Sequence, residues 1–318
     1  MAGTILVTGA AGQIGSELVV VLREKYGKEN VIASDKRPPT SVLAAGPFFL
    51  LDVTDRAEVE RLVRDHKVEV IYHLAAILSA TGEKDPELAW RVNMEGLYNM
   101  LEAARKHGVR RIFWPSSIAV FGPKTPKENT PQDAVLSPTT MYGVTKVAGE
   151  LLCEYYHRRY GLDVRGLRFP GIISSGTLPG GGTTDYAVEI FYAAVKGEPY
   201  TCFLRPDTVL PMAYMPDCLK AILRLMEAEE KRLRWRIYNV SGMSFSPEEL
   251  AREIQKRVPG FQVEYKPDFR HGIAESWPRT IDDSAAREDW GWAPAYDLPR
   301  MVEAMLAALR KKRERGEL

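Results

Sequence analysis

The chain has 318 residues, 45% of them hydrophobic, which is enough to build a sizeable core and excludes a disordered chain. Its 43 Lys and Arg nearly balance its 42 Asp and Glu. That balance excludes the strong positive field by which proteins bind nucleic acid or an anionic membrane, so we expect a small-molecule ligand.

The cysteines and the apolar runs indicate the compartment. Cys153, Cys202 and Cys218 have neither disulfide nor metal-ligand spacing, which favours a reducing environment. The first residues lead directly into an apolar run at 4–7 without a basic leader, and no later run is long enough to cross a bilayer. We therefore expect a soluble, cytoplasmic protein with no nucleic-acid partner and no membrane association.

Short β-branched runs alternate with amphipathic segments through the first half of the chain. The sequence predicts strands at 4–7, 31–34, 70–74 and 111–114, separated by helical segments such as 13–26 and 56–65. Two longer helices follow at 93–107 and 141–160, each ended by a glycine, and their apolar faces could pack on the sheet and on a second subunit. This order predicts an α/β fold with a doubly wound parallel sheet of the Rossmann type.

The sequence changes character after a further predicted strand at 165–169. Residues 174–184 are rich in serine, threonine and glycine, which predicts a mobile loop. Helices are predicted at 185–196, after Ser246-Pro247 and from Leu298, with strands near 201–204 and 235–240. We expect a nucleotide-binding domain over 1–170, rejoined by a segment at about 207–242, and a smaller substrate-binding or lid domain over 171–318.

A glycine-rich turn lies between the first predicted strand and the first helix. It contains Gly9, Gly12, Gln13, Ile14 and Gly15, and its first gap is one residue wider than in the usual dinucleotide fingerprint. Glycines permit a tight turn and let backbone N–H groups approach a pyrophosphate at the positive end of a helix. These five residues are therefore the predicted core of a dinucleotide site.

Acidic residues at the ends of the next two apolar runs indicate which dinucleotide binds. Asp35 lies about 20 residues beyond the glycine turn, where a carboxylate accepts bonds from ribose hydroxyls and repels a 2′-phosphate, which favours NAD. Lys36 and Arg37 could instead hold the phosphate of NADP. Asp52 and Val53 lie where the adenine edge is expected, although an Asp before a helix is equally suited to capping it.

Tyr142 and Lys146 lie four residues apart on one predicted helix and so share a face. A free tyrosine has a pKa of about 10, and an adjacent ammonium favours the phenolate that a base requires. Such pairs also occur in surface packing. Ser116 and Ser117 follow the strand predicted at 111–114, on the ligand-binding edge of an open sheet, although they could form a turn or cap there. Together with the glycine turn, these residues predict a proton-transfer site.

At these positions the chain resembles the extended short-chain dehydrogenases. The matching pieces are Gly9-Xaa-Xaa-Gly12-Xaa-Xaa-Gly15, Asp35, Asp52, His73-Leu74-Ala75-Ala76, Asn93, Ser116-Ser117 and the segment from Tyr142 to Lys146. Segments 78–84, 182–187 and 207–217 resemble, more narrowly, the L-threonine 3-dehydrogenases of this superfamily. The resemblance implies NAD-dependent, metal-independent oxidation of L-threonine to 2-amino-3-oxobutanoate by a homodimer.

The resemblance also implies roles for individual residues. Tyr142 would act as the base, Lys146 would lower its pKa and hold the nicotinamide ribose, and Ser117, with Ser116 as its nearest rival, would bind the substrate hydroxyl. Besides the glycine turn, the implied cofactor contacts are Asp35, Lys36, Asp52, Val53, Leu74, Ala75, Ala76, Asn93, Pro170 and Ile172. The implied substrate contacts are Ser79, Thr81, Gly182, Thr184 and Asp185.

Within that substrate set, Asp185 suits an ammonium, and the small hydroxyls suit a carboxylate. Thr184 and Asp185 could also cap the helix that follows them. The glycine-rich loop before them is expected to order over bound substrate and exclude water.

Three other classes of protein share parts of this pattern. Nucleotide-sugar epimerases and dehydratases resemble the first half, but many have an arginine where this chain has Leu210-Pro211-Met212. A non-catalytic NAD sensor would typically lack the Tyr/Lys pair. A zinc-dependent alcohol dehydrogenase is disfavoured because the five histidines and three cysteines show no clustered ligand spacing.

Overall fold

Residues 3–318 are described by a computed structural model that alternates strands and helices along the chain. The strands are β1 (Thr4–Thr8), β2 (Val31–Asp35), β3 (Phe48–Leu50), β4 (Val68–His73), β5 (Arg111–Ser117), β6 (Asp163–Phe169), β7 (Gly171–Ile173), β8 (Tyr200–Cys202), β9 (Leu210–Tyr214), β10 (Ile237–Asn239), β11 (Met243–Phe245) and β12 (Val263–Tyr265).

The helices differ widely in length. They are α1 (Gln13–Tyr26), α2 (Ser41–Ala44), α3 (Arg56–Asp65), α4 (Ser79–Lys84), α5 (Pro86–Trp90), α6 (Gly96–His107), α7 (Met141–Tyr160), α8 (Tyr186–Lys196), α9 (Met215–Glu227), α10 (Pro247–Gln255), α11 (Phe269–Ser276), α12 (Ser284–Trp290) and α13 (Leu298–Glu314). Along residues 3–318, no helix combines the length and apolar character needed to span a bilayer.

A seven-stranded sheet in the order β10-β6-β5-β4-β1-β2-β3 forms the centre of the molecule, and all of its strands are parallel. The chain leaves β1 toward β2 and β3, then crosses back to β4 on the other side of β1. The strand order therefore reverses between β1 and β4, which is where open α/β sheets bind their ligands, at the carboxyl ends of the strands. The predicted doubly wound sheet is confirmed.

Each face of the sheet has its own apolar core, and the second half of the chain builds a third. Helices α1 and α9 pack on one face, while α3 and α6 pack on the other. The third core joins α8, α10 and α13 to the residues that follow β5. β10 belongs to the large sheet although it lies late in the sequence. The elements of the third core therefore sit beside the carboxyl edge of the sheet.

The observed limits of the helices agree closely with those predicted from the sequence where the local signals are strong. Helices α1, α3 and α7 match their predicted limits. The helix predicted at 93–107 is regular only from residue 96, because a π-helical turn (Arg91–Glu95) joins α5 to α6. Strand β9 and helix α9 were missed, since each contains a proline that argues against an element interior.

Candidate active site

The glycine turn after β1 packs its backbone against two neighbouring segments. Gly9 has a φ of 66°, and a Cβ there would lie 2.6 Å from the backbone nitrogen of Ala75. A Cβ at Gly15 would lie 2.3 Å from the carbonyl oxygen of Gly9. Only glycine fits at both positions. The turn therefore brings the N-terminus of α1 against the Leu74–Ala76 segment that follows β4.

Asp35, at the end of β2, links that strand to the glycine turn. One carboxylate oxygen accepts the backbone N–H of Ala11 at 2.9 Å. The other accepts the backbone N–H and the side-chain Nε of Arg37, at 3.0 and 3.2 Å. Asp35 is buried, whereas the Arg37 side chain is largely exposed. A carboxylate thus lies at the predicted ribose position, and the neighbouring guanidinium is paired with it.

Asp52 lies in a turn before α3 and does not cap that helix. Its Oδ1 accepts the backbone N–H and the hydroxyl of Thr54, at 2.9 and 2.7 Å, and the bond from the Thr54 amide is the main cause that lowers the pKa of Asp52. The cap of α3 is Asp55. Val53 is buried, and a Cβ on Gly96 would lie 2.7 Å from its side chain.

Asn93, in the π-helical turn, uses its whole side-chain amide within the chain. Its Oδ1 accepts the N–H of Ile77 at 2.8 Å, and its Nδ2 donates to the carbonyl of Ile77 and to the hydroxyl of Thr145, both at 3.1 Å. Asn93 therefore holds the loop after β4 against α7.

His73 connects the ends of β4 and β1. Its Nδ1 lies 2.7 Å from the hydroxyl of Thr8. Burial, together with the charge of Lys146, lowers the pKa of His73 to about 3. The imidazole is therefore neutral at physiological pH and acts as a hydrogen-bonding partner of the β1 end.

Tyr142 and Lys146 lie on one face of α7, as predicted. The Lys146 ammonium is 5.4 Å from the centre of the Tyr142 ring and donates to the carbonyl of Pro115 at 2.6 Å. Desolvation raises the pKa of Tyr142 to about 12, while a hydrogen bond from the Ser117 hydroxyl opposes that rise. Burial lowers the pKa of Lys146 to about 7. Desolvation and the Ser117 bond account for the shifted pKa of Tyr142, so the expected lowering of that pKa by Lys146 stays a prediction.

The structure separates the two candidate serines. Adjacent residues of a strand face opposite sides, so only one of them can face Tyr142. Ser117 is that residue. The hydroxyl of Ser116 donates to Glu150 at 2.5 Å, where Glu150 also forms a buried two-bond ion pair with Arg168, at 2.9 and 2.8 Å. Ser116 therefore belongs to a buried network beneath the site and is not brought to Tyr142.

The loop before α8 is held against α4. The Ser79 hydroxyl lies 3.0 Å from the hydroxyl of Thr183 and accepts the backbone N–H of Thr183 at 3.2 Å. A Cβ on Gly181 would lie 2.3 Å from the Thr81 hydroxyl. Ser79 and Thr81 are thus together at the loop. Thr183 is a site residue that the sequence analysis missed, because nothing local distinguishes it from Thr184.

Asp185 orders the glycine-rich loop from its far end. Its Oδ2 accepts the backbone N–H groups of Gly181 and Gly182, at 2.9 and 2.7 Å, and the side chain does not cap α8. Burial raises the pKa of Asp185 to about 6 even though both amide bonds oppose that rise. The carboxylate is ionised at neutral pH and begins to protonate under mildly acidic conditions.

Thr184 lies beside the segment that follows β6. A Cβ on Gly171 would lie 2.8 Å from the methyl carbon of Thr184. Pro170 and Ile172 flank that glycine, and Ile172 pairs with β9. The predicted nicotinamide border and the predicted substrate loop are therefore adjacent. Nowhere in the described residues do three or more His, Cys, Asp or Glu side chains come together in a group that could hold a metal ion.

Comparison with known proteins gives a consistent result. The model of the NAD dependent epimerase/dehydratase family matches residues 5–241. An uncharacterized epimerase/dehydratase of Staphylococcus aureus (strain USA300) is 53% identical over 312 residues, with 97% of each chain covered.

Solved structures extend the similarity over the substrate half. The holo form of a GalE-like L-threonine dehydrogenase from Cupriavidus necator is 55% identical with a TM-score of 0.94, covering 96% of this chain and 99% of that chain. The apo form of a monomeric L-threonine 3-dehydrogenase from a metagenome is 51% identical with a TM-score of 0.94, covering 97% and 99%. The chain belongs to the NAD-dependent epimerase/dehydratase family, and the resemblance seen in the sequence is confirmed.

The glycine turn fits the dinucleotide that this family uses. Glycine at positions 9 and 15 lets the turn pack closely on neighbouring backbone, which leaves the turn at the positive end of α1, where a pyrophosphate is favoured. The buried Nε2 of Gln13, in the first turn of α1, has no hydrogen-bond partner within residues 3–318. A buried donor without a partner is costly, and a pyrophosphate oxygen would satisfy it. The cofactor is NAD.

Replacement of Gly15 by Ala is expected to weaken NADH binding at least tenfold and to destabilise the fold by about 1–3 kcal/mol. The added methyl would collide with the Gly9 carbonyl oxygen, 2.3 Å away. Thermal melting and NADH fluorescence titration measure the two effects. Gly272→Ala is the control, since open space surrounds Gly272 in α11. Wild-type NADH affinity in Gly15→Ala would contradict the close packing described here.

Proposed function

We propose that this protein oxidises the 3-hydroxyl of L-threonine with NAD, giving 2-amino-3-oxobutanoate and NADH. The observation that carries the proposal is that Tyr142 lies beside Ser117 and Lys146. Helix α4 connects this group to the loop at 181–185, since its Gly82 lies against Tyr142 and its Ser79 binds Thr183. Support comes from the L-threonine dehydrogenases that match through both halves of the chain at 51% and 55% identity.

The proposed base is Tyr142. It accepts the proton of the substrate hydroxyl, and Ser117 donates a hydrogen bond to the same oxygen. NAD, when bound, supplies the acceptor for the hydride that leaves the hydroxyl-bearing carbon. Desolvation raises the pKa of Tyr142 to about 12, so the phenol must be stabilised as phenolate within the site before it can act as a base. Lys146 in its charged form favours the phenolate, and this help is needed because the single proton of the Ser117 hydroxyl is donated to the substrate oxygen.

The proposed substrate grip lies on the loop before α8. Asp185 is half-buried and ionised at neutral pH, and Oδ1 remains as the carboxylate oxygen that the loop amides do not use. A carboxylate in that position suits the ammonium of an amino acid. Ser79, Thr81, Gly182 and Thr184 are the proposed polar neighbours of the substrate carboxylate.

Most of the remaining proposed cofactor contacts lie at or just after the carboxyl ends of the strands of the large sheet. Lys146 would hold the nicotinamide ribose, Pro170 and Ile172 would border the nicotinamide, and Asp35 would hold the adenosine ribose. The further proposed contacts are Gly9, Gly12, Gln13, Ile14, Gly15, Lys36, Asp52, Val53, Leu74, Ala75, Ala76 and Asn93. The proposed domain division places these residues in a unit over 1–170 that the segment at about 207–242 rejoins, with the lid over 171–318.

We also propose that the chain forms a homodimer through α5, α6 and α7. These helices contact one another and expose large apolar side chains, namely Trp90, Tyr98, Val144, Leu151, Tyr155 and Tyr160. Leu151 is 66% exposed although it lies in the interior of a long helix. Exposed apolar side chains on neighbouring elements are typical of protein interfaces. The buried, unpaired cysteines are consistent with a reducing, cytoplasmic location.

L-Threonine with NAD should release NADH in amounts that follow threonine consumption, whereas UDP-glucose should release none. Tyr142→Phe should lower kcat by about 10²- to 10⁴-fold with NADH affinity retained, because it removes only the proton acceptor. Tyr265→Phe, in β12 and outside both the proposed site and the proposed dimer interface, should keep wild-type kinetics. Steady-state absorbance assays measure these rates. Full activity in Tyr142→Phe would refute the assignment of the base.

The KM for L-threonine should rise as pH falls through about 6, the raised pKa of Asp185. The carboxylate form is present above that pKa and is lost below it, so substrate affinity weakens in acid. Asp185→Asn should raise KM about 10- to 100-fold at neutral pH and flatten its pH dependence, since a charge-assisted bond is lost. Asp207→Asn, an exposed acid in an ion pair with Arg205, is the control. An unchanged KM in Asp185→Asn would remove Asp185 from the substrate grip.

Leu151→Glu should convert the proposed dimer to a monomer, because a charge would be buried in an apolar interface. Light scattering after size exclusion measures the mass. Val135→Glu is the control, since Val135 is similarly exposed, at 62%, but lies outside α5, α6 and α7. A wild-type chain that is monomeric at micromolar concentration would overturn the dimer proposal.

A further inference from the structure

The first turn of α7 begins one residue before the proposed base and needs partners for its amides. The first N–H groups of a helix have no carbonyl partner within it. The Thr140 side chain accepts the N–H of Gly143 at 3.1 Å, as an ordinary cap. The N–H of Met141 is instead accepted by the Glu83 carboxylate at 2.7 Å. A negative group from another helix therefore lies at the positive end of α7, directly beside Tyr142.

The helix that carries Glu83 is also the one that holds the substrate loop. Helix α4 has six residues, and its first, Ser79, binds Thr183 through both the hydroxyl and the amide. Thr81 packs on Gly181 of the same loop. A Cβ on Gly82 would lie 4.0 Å from the Cβ of Tyr142. One short helix thus contacts the loop at one end and the proposed base at the other.

Glu83 has no role in the proton transfer or the substrate grip described above, although it lies within a segment that resembles the L-threonine dehydrogenases. We propose that Glu83 is a positioning residue, which ties α4 to the start of α7 so that the placement of the 181–185 loop and the orientation of Tyr142 are coupled. This proposal rests on the proposed function for its catalytic consequence. The physical coupling between α4, the loop and α7 stands apart from it.

If Glu83 acted only as a cap of α7, its removal would have a different effect on stability and kinetics. Removing a cap lowers stability wherever the helix lies, and it leaves kinetics alone unless the helix end serves the chemistry. Asp55 provides the matched comparison, since its exposed carboxylate accepts the N–H of Glu58 at 3.0 Å on α3. A positioning residue should change kcat more than KM for NAD, because misplacing a reacting group slows chemistry without weakening distant binding.

Steady-state kinetics and amide hydrogen exchange would be measured on the full chain for Glu83→Ala, Glu83→Gln and Asp55→Ala. We expect Glu83→Ala to lower kcat about tenfold with an unchanged KM for NAD. Exchange should quicken in segment 138–147 and also in segment 181–187, although Glu83 touches only the first. Glu83→Gln keeps an acceptor oxygen and should restore most of kcat. Asp55→Ala should leave kcat and both segments unchanged.

The variant Ser79→Ala tests the same coupling from the other end of α4, because it removes the hydroxyl that binds Thr183 of the loop. It keeps the proposal testable if Glu83→Ala folds poorly. It should quicken exchange in segment 138–147. The proposal is overturned if Glu83→Ala behaves like Asp55→Ala in kcat and in both segments, or if Ser79→Ala leaves segment 138–147 unchanged. If the wild type fails to oxidise L-threonine, the proposed function fails, and the exchange results still decide the coupling.

Discussion

Desolvation of two ionisable groups on one helix is the constraint on which the site depends. Burial favours the neutral phenol at Tyr142 and the neutral amine at Lys146, so each group resists the form that proton transfer needs. Lys146 is 2% exposed, and its ammonium donates a hydrogen bond to the Pro115 carbonyl. The surrounding chain must therefore hold both groups firmly. Electrostatic interactions are stronger in a medium of low dielectric, so a small displacement changes their energy more than it would in water.

Helix α7 is accordingly fixed along its length by polar contacts to different elements. Thr140 and Glu83 bind its first turn, Asn93 reaches Thr145 in the second, and Glu150 forms an ion pair with Arg168 of β6 further on. Removing one partner of such a buried pair typically costs about 3–5 kcal/mol, since it leaves a charge unpaired. Ser116 adds a third bond to Glu150. The network below the site thus anchors the helix that presents Tyr142 above it.

The loop at 174–185 links helix α1 to helix α4. At its start, Ser174 donates to Glu17 and Thr177 lies 2.9 Å from the hydroxyl of Ser16, both in the first turns of α1. At its end, Thr183 binds Ser79 of α4. Between these anchors Leu178 is 61% exposed. A segment anchored at both ends and solvated in the middle can reorganise over a ligand while keeping its two attachments, which is the behaviour expected of a lid.

The sequence alone determined the features that arise within one helical turn or one strand. Helices α1, α3 and α7 have the predicted limits, the glycine turn follows β1, and Tyr142 shares a face with Lys146 because four residues make about one turn. Tertiary structure decided which of two nearby residues of one type makes a given contact. Ser117 rather than Ser116 meets Tyr142, Thr183 rather than Thr184 binds Ser79, and Asp55 rather than Asp52 caps α3. Neighbouring residues of one type carry the same local signal, and only packing against other elements distinguishes them.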